Sequence, residues 1–117
     1  MKEKQTLLSG STTLLVLSLL AGGDKYGYEM IAELEAKSDR TFSMKEGTLY
    51  PILHGLEQTG AVRSYEREAS TGRTRKYYHI TKKGLELLRE KKEEWVSFSK
   101  LVNAIVAEVP APEPAAW

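Results

Sequence analysis

The stretch SMKEGTLYPILHGLEQTGAVRSYEREASTGRTRKYYHIT, residues 43 to 81, decides the fold of this chain. Ser43 and Glu46 stand in an S-x-x-E arrangement, in which each side chain can satisfy the other's backbone donor at a helix start. Leu49, Ile52, Leu53 and Leu56 follow at helical spacing, so one stripe of that helix faces a core. At about 100° per residue, Met44, Gly47, Pro51, His54 and Gln58 fall on the opposite face, which carries little charge and little bulk. Pro51 removes one helical hydrogen bond and presses its ring on the carbonyl four residues back, which belongs to Gly47. A glycine can yield at that point, so the helix either bends slightly and continues or ends at Tyr50. If it continues, its small, uncharged outer face suits close entry into a groove.

From Val62 the period changes. Two alternating runs, Val62 to Glu68 and Arg73 to Thr81, flank Ala69-Ser70-Thr71-Gly72 and read as a hairpin. Val62, Tyr78 and Ile80 are the expected inward residues, while Arg73, Arg75 and Lys76 crowd about the turn at Gly72. Cations at a hairpin tip suit phosphate contact, because neutralised phosphates release counterions and supply affinity independent of sequence. The plainer reading is a solvated hairpin whose charges serve solubility, and Glu66 and Glu68 on the other strand favour it.

These residues resemble the PadR-like bacterial transcriptional regulators. Gly47-Thr48-Leu49-Tyr50-Pro51-Ile52-Leu53, with Leu56-Glu57 and Gly60, is similar to that family's recognition helix. Gly72-Arg73-Thr74-Arg75-Lys76-Tyr77-Tyr78, with Ile80-Thr81 and Gly84, is similar to its wing and the start of its last helix. Tyr26-Gly27-Tyr28-Glu29-Met30-Ile31 resembles the opening of its second helix. The resemblance implies a mostly α winged helix-turn-helix with a small β-hairpin over residues 1–81, followed by a dimerisation helix over 82–109. It also implies a cytoplasmic homodimeric repressor on double-stranded DNA, with Met44, Lys45, Thr48, Tyr50 and His54 at the recognition helix and Gly72, Arg73, Arg75 and Lys76 at the wing.

Composition is compatible with this and narrows the rest. A chain of 117 residues with 41% apolar content fits one small domain, which often gains stability by oligomerising. The absence of cysteine excludes disulfides and thiolate metal sites. His54 and His79 stand far apart without an adjacent acidic motif, and no nucleophile elbow or phosphate loop occurs, so neither metal, cofactor nor catalysis is expected. Net charge is only +1, but it divides unevenly. Residues 1 to 62 carry 6 basic and 8 acidic groups, a balance of −2; residues 63 to 92 carry 10 and 4, or +6; residues 93 to 117 carry 1 and 4, or −3. A local patch of this kind is what a nucleic-acid backbone meets.

Lys2 and Lys4 precede a leucine-rich run from Leu14 to Ala21 that looks like a signal-peptide core but lacks a small-residue cleavage site and is too short to span a membrane. It reads as a helix over about residues 5 to 21, buried on more than one side; the family resemblance implies that Leu14 and Leu17 face a partner subunit. Thr81 is a suitable N-cap for the last helix. Leu85, Leu88, Trp95, Phe98, Val102, Ile105 and Val109 draw a stripe along about seven turns, more than a small wing domain can cover, so a symmetric dimer is expected. Trp95 and Phe98 are the candidate walls for a planar aromatic inducer, since family members that sense planar drugs use a tryptophan on this helix; the plainer role of Trp95 is an interface anchor. Pro110, Pro112 and Pro114 mark residues 110–117 as a disordered tail, in which Trp117 has no assigned role. Two other readings stay open: a dimer whose main role is small-molecule capture, and a membrane-surface or secreted interaction protein using the N-terminal run.

Overall fold

A computed structural model describes residues 10–111. In chain order it contains α1 (Thr12–Ala21), β1 (Lys25–Tyr26), α2 (Gly27–Lys37), α3 (Glu46–Gln58), β2 (Val62–Glu68), β3 (Thr74–Ile80) and α4 (Lys82–Ala107). Three helices, a hairpin and a long final helix make a winged helix-turn-helix. Residues 5 to 9 of the expected first helix, and residues 112 to 117 of the tail, lie outside the described residues.

The apolar stripes converge on one core. Val16, Leu17 and Leu20 of α1, Met30 and Leu34 of α2, Leu49, Leu53 and Leu56 of α3, and Val62, Tyr78 and Ile80 of the sheet are all buried. Leu87 and Leu88 of α4 pack against its edge. Helix α1 meets α2, β3 and α4 of its own chain, which accounts for its excess of leucine. Leu17 is 0% exposed in that core and Leu14 is half-buried, so the expectation that Leu17 faces a partner is corrected: its surface is already spent within the subunit.

Helix α3 begins later than expected. Its N-cap is Lys45, two residues after Ser43. One helix earlier, Glu29 Oε1 accepts the Tyr26 N–H at 3.1 Å and so caps the start of α2. Between them, Ser38 Oγ accepts from Phe42 N at 2.9 Å, and Asp39 and Arg40 take positive φ values of 52° and 63° to turn the chain into α3. Pro51 lies inside α3, which runs on to Gln58. No atom approaches the point where Gly47 would carry a Cβ, leaving room for the backbone to yield beneath the proline ring.

The sheet has three strands in the order β1-β3-β2, all antiparallel, where the sequence indicated only the β2–β3 hairpin. A strand of two residues shows no alternation, so β1 leaves no period to detect. Lys25 ties it down: Nζ donates to the Leu19 carbonyl at 2.8 Å, capping the end of α1, and pairs with Glu33 of α2 at 3.5 Å. Thr81 caps α4 as expected, its Oγ1 accepting from Gly84 N at 3.1 Å.

Candidate nucleic-acid interface

The outer face of α3 presents Lys45, Thr48, Pro51, His54 and Gln58 to solvent. Met44 does not join them. It is 5% exposed and packs in the core, because the helix starts at Glu46 and the residue before the N-cap enters from the interior side. Tyr50 is half-buried: its ring lies over Gly27 of α2, so closely that a Cβ there would fall 2.9 Å from the phenol Cζ. Of the five expected recognition residues, the structure therefore brings Lys45, Thr48 and His54 together on one exposed surface, uses Tyr50 to seat α3 on α2, and removes Met44.

The wing turns through Ala69–Arg73, closed by Gly72 N donating to Ala69 O at 2.8 Å and Ala69 N to Arg73 O at 2.7 Å. Gly72 has φ +84°, a conformation that side-chain-bearing residues rarely adopt. Arg73 is exposed in the turn itself. Arg75 and Lys76 are not beside it at the tip. They alternate along β3, so that Arg75 shares the outer sheet face with Tyr77 while Lys76 shares the inner face with Tyr78. The Arg75 guanidinium lies 4.4 Å above the Tyr26 ring, and Lys76 Nζ is 5.6 Å from the centre of Tyr78.

The outer sheet face carries a constellation that sequence reading missed. Tyr65 and Tyr77, paired across β2 and β3, stack at 5.7 Å, and Tyr77 meets Tyr26 edge-on at 5.4 Å. Arg67 lies 5.2 Å over Tyr77. Asp24 closes the row: it accepts the Tyr65 hydroxyl at 2.7 Å and sits 2.8 Å from His79 Nδ1. That hydroxyl, the His79 pair and the Arg63 charge hold the Asp24 carboxyl below its ordinary range against a desolvation that raises it, while the Tyr65 phenol is pushed up by the same hydrogen bond. His79 thus has an acidic partner, 55 residues away in sequence, where spacing showed none. The alternation of Tyr65, Arg67, Arg75 and Tyr77 was the available signal. Among the described residues, no three of His, Cys, Asp and Glu are placed to hold a metal ion.

The distal half of α4 is apolar and exposed in the single chain. Trp95 (48%), Phe98, Val102 and Ile105 (68%) lie on it, and Val109 follows just beyond its end. Val96, Leu101 and Val106 widen that stripe beyond the residues that a single three-and-four spacing selects. Trp95 and Phe98 stand 6.3 Å apart and tilted by 36°. Among the described residues, no helix is long and apolar enough to cross a membrane.

Comparison with known proteins places this architecture. The pattern of the transcriptional regulator PadR-like family matches residues 16–90. An uncharacterised protein of Lysinibacillus sphaericus is 31% identical over 100 residues, covering 86% of this chain and 92% of its own. The transcriptional regulator YqjI of Escherichia coli K12 is 27% identical over 95 residues; 81% of this chain is covered, but only 44% of YqjI. Among solved structures, a transcriptional regulator from Clostridium thermocellum superposes with a TM-score of 0.78 at 37% identity, covering 86% of this chain and 98% of that one. A PadR-like transcriptional regulator from Bacillus cereus does so at 0.75 and 33%, covering 86% and 96%. With a match over most of its helices and the whole wing, the chain belongs to the PadR-like family of transcriptional regulators.

Proposed function

We propose that the chain is a cytoplasmic, homodimeric repressor that binds a pseudo-palindromic operator and releases it on a signal. In this reading, residues 1–81 form the DNA-binding unit and residues 82–109 the dimerisation helix. The observation that carries it is the exposed face of α3, where Lys45, Thr48 and His54 project with little bulk between them, beside a wing with Arg73 at its turn. Such a helix enters a major groove and reads base edges, while the wing cations contact phosphate. The exposed row Trp95, Phe98, Val102, Ile105 and Val109 supports a two-fold partner, since paired α4 helices would remove it from water. Two subunits then address two half-sites about one DNA turn apart or a multiple of it.

The test is binding of the purified chain to the DNA upstream of its own gene, by footprinting and by titration against random duplex. A protected, two-fold symmetric site with affinity well above random DNA is expected. Equal affinity for both duplexes would remove the operator.

A second reading concerns the signal. The exposed Trp95 and Phe98 rings supply flat apolar surface at the proposed seam, suited to a planar aromatic inducer stacked between subunits. Glu93 and Glu94 beside them favour a cationic one. Saturable quenching of tryptophan fluorescence by planar cationic dyes, lost in a still-dimeric Trp95→Ala, is the expected result; unchanged dye affinity in that variant excludes the site.

A further inference from the structure

The outer sheet face joins the wing to the helix-turn-helix through side chains rather than backbone alone. Arg67 and Arg75 are directly opposed in the β2–β3 register, an arrangement that repels unless each charge is drawn elsewhere. Each is: Arg67 lies over Tyr77 and Arg75 over Tyr26. Of the two contacts the second is the closer, at 4.4 Å, and Arg75 is half-buried while Arg73 is exposed. A guanidinium held over a ring face keeps N–H groups free to form the fork that matches a phosphate. Its conformational freedom has then been surrendered before any ligand arrives.

Tyr26 is also the N-cap of α2, and the next residue, Gly27, carries the ring of Tyr50 from α3. A continuous path of contacts, Arg75–Tyr26–Gly27–Tyr50, therefore runs from wing strand to recognition helix. Resting on the DNA-binding function proposed above, we infer that Tyr26 is a positioning residue, which holds the Arg75 guanidinium ready for a backbone phosphate in fixed register with α3. The Tyr65–Tyr77 stack, anchored on Asp24, meets the Tyr26 ring edge-on and buttresses it.

The experiment is the salt dependence of duplex binding by the full chain, using a DNA that the unaltered protein binds, together with a random duplex. Tyr26 is neutral, so a purely structural role leaves the number of displaced counterions unchanged. If it positions Arg75, Tyr26→Leu lowers the salt slope by about one and affinity about three- to fivefold, as Arg75→Ala does. The double variant is then no worse than Arg75→Ala, and Tyr26→Phe behaves as the unaltered chain. Should Tyr26→Leu not fold, Arg75→Lys decides: it keeps the charge but stacks poorly, so the unheld cation should lower slope and affinity much as Arg75→Ala does. An unchanged slope in folded Tyr26→Leu, additive losses in the double variant, or full affinity in Arg75→Lys overturns the inference while leaving DNA binding intact. Absence of duplex binding by the unaltered chain overturns the proposed function and this inference with it.

Discussion

Gly84 packs against the carbonyl of Ala61, leaving no room for a side chain: a Cβ would meet that oxygen and lie 2.7 Å from Ile80 Cγ1. The same carbonyl accepts from Thr81 N at 3.0 Å, and Thr81 Oγ1 donates to the adjacent Gly60 carbonyl at 2.6 Å, so the entry to β2 and the start of α4 are fastened together. Helix propensity alone would favour alanine at this position by about 1 kcal/mol. Because the obstacle is backbone, the clash wins, and Gly84→Ala should destabilise the fold by about 2 kcal/mol. For a domain of this size that lowers Tm by roughly 10 °C, measurable by calorimetry. An unchanged Tm would show that α4 can lift off Ala61 without cost.

Gly27 and Tyr50 make the corresponding contact between α2 and α3. Here the obstacle is the end of a side chain, which can rotate. Gly27→Ala should cost only about 1 kcal/mol by urea denaturation, and adding Tyr50→Phe, which removes the colliding hydroxyl, should restore most of it. Additive losses would mean that the two residues do not share one contact.

The sheet-to-helix order was legible in residues 43–81 because each element there is long enough to show its period. Leu49, Leu53 and Leu56 take the core face of α3, and Val62, Tyr78 and Ile80 that of the hairpin, as their spacing requires. Met44 was misplaced since helical phase was extended back to Ser43, before the helix begins at Glu46. Leu17 differs for another reason: a helix apolar on more than one side announces that it is buried but not by what, and α1 finds α2, β3 and α4 in its own chain. The Tyr–Arg face was invisible as a unit. Asp24 and Tyr26 come from a turn and a two-residue strand far from the wing, and only the β1–β3 pairing brings them beside it.

Asp24 is one surface carboxylate on which acid stability depends, beside Glu33 in its pairs with Lys25 and Lys37. The Tyr65 hydroxyl is the main influence lowering the Asp24 pKa, with His79 and Arg63 adding to it against desolvation. A carboxyl lowered on folding stabilises the native state at pH values above its unfolded pKa, near 3.9. That contribution is lost as pH falls through the lower, native value. Tyr65 has the opposite sense: its raised pKa adds stability below about pH 10, lost as pH rises through the native value. Asp24→Asn retains an acceptor but does not titrate, so its Tm should fall less steeply than that of the unaltered chain on acidification below about pH 4. Parallel Tm-against-pH curves would show that Asp24 carries none of the dependence.

Selectivity and backbone affinity should separate between α3 and the wing tip. Arg73 stands exposed in the turn, so Arg73→Ala should weaken operator and random duplex alike and lower the salt slope by about one. Thr48 and His54 are exposed on α3, and in the proposed function they are the residues that touch base edges. Replacing either by alanine should instead change the ranking of operator variants, by about 1–3 kcal/mol at the affected base pair. Competition titrations with single-base-pair substitutions read both effects. A uniform loss across all sequences for Thr48→Ala would assign that residue to phosphate.

Dimerisation should be the condition for operator binding, and α4 offers a place to break it without touching the core. Ile105 is 68% exposed in the single chain and lies more than four helical turns beyond Leu87 and Leu88, the α4 residues that pack on the core. A carboxylate there costs the isolated subunit little, yet in the proposed seam two copies would be desolvated near the two-fold axis. Ile105→Glu should therefore shift sedimentation from dimer to monomer at micromolar concentration while helicity and core packing persist. Operator affinity should then collapse towards that of one half-site, because the second subunit no longer raises the effective concentration of its own recognition helix. Acidification would partly restore the dimer as the glutamates protonate. A monomeric Ile105→Glu that still binds the full operator as tightly as the unaltered chain would show that one winged helix suffices.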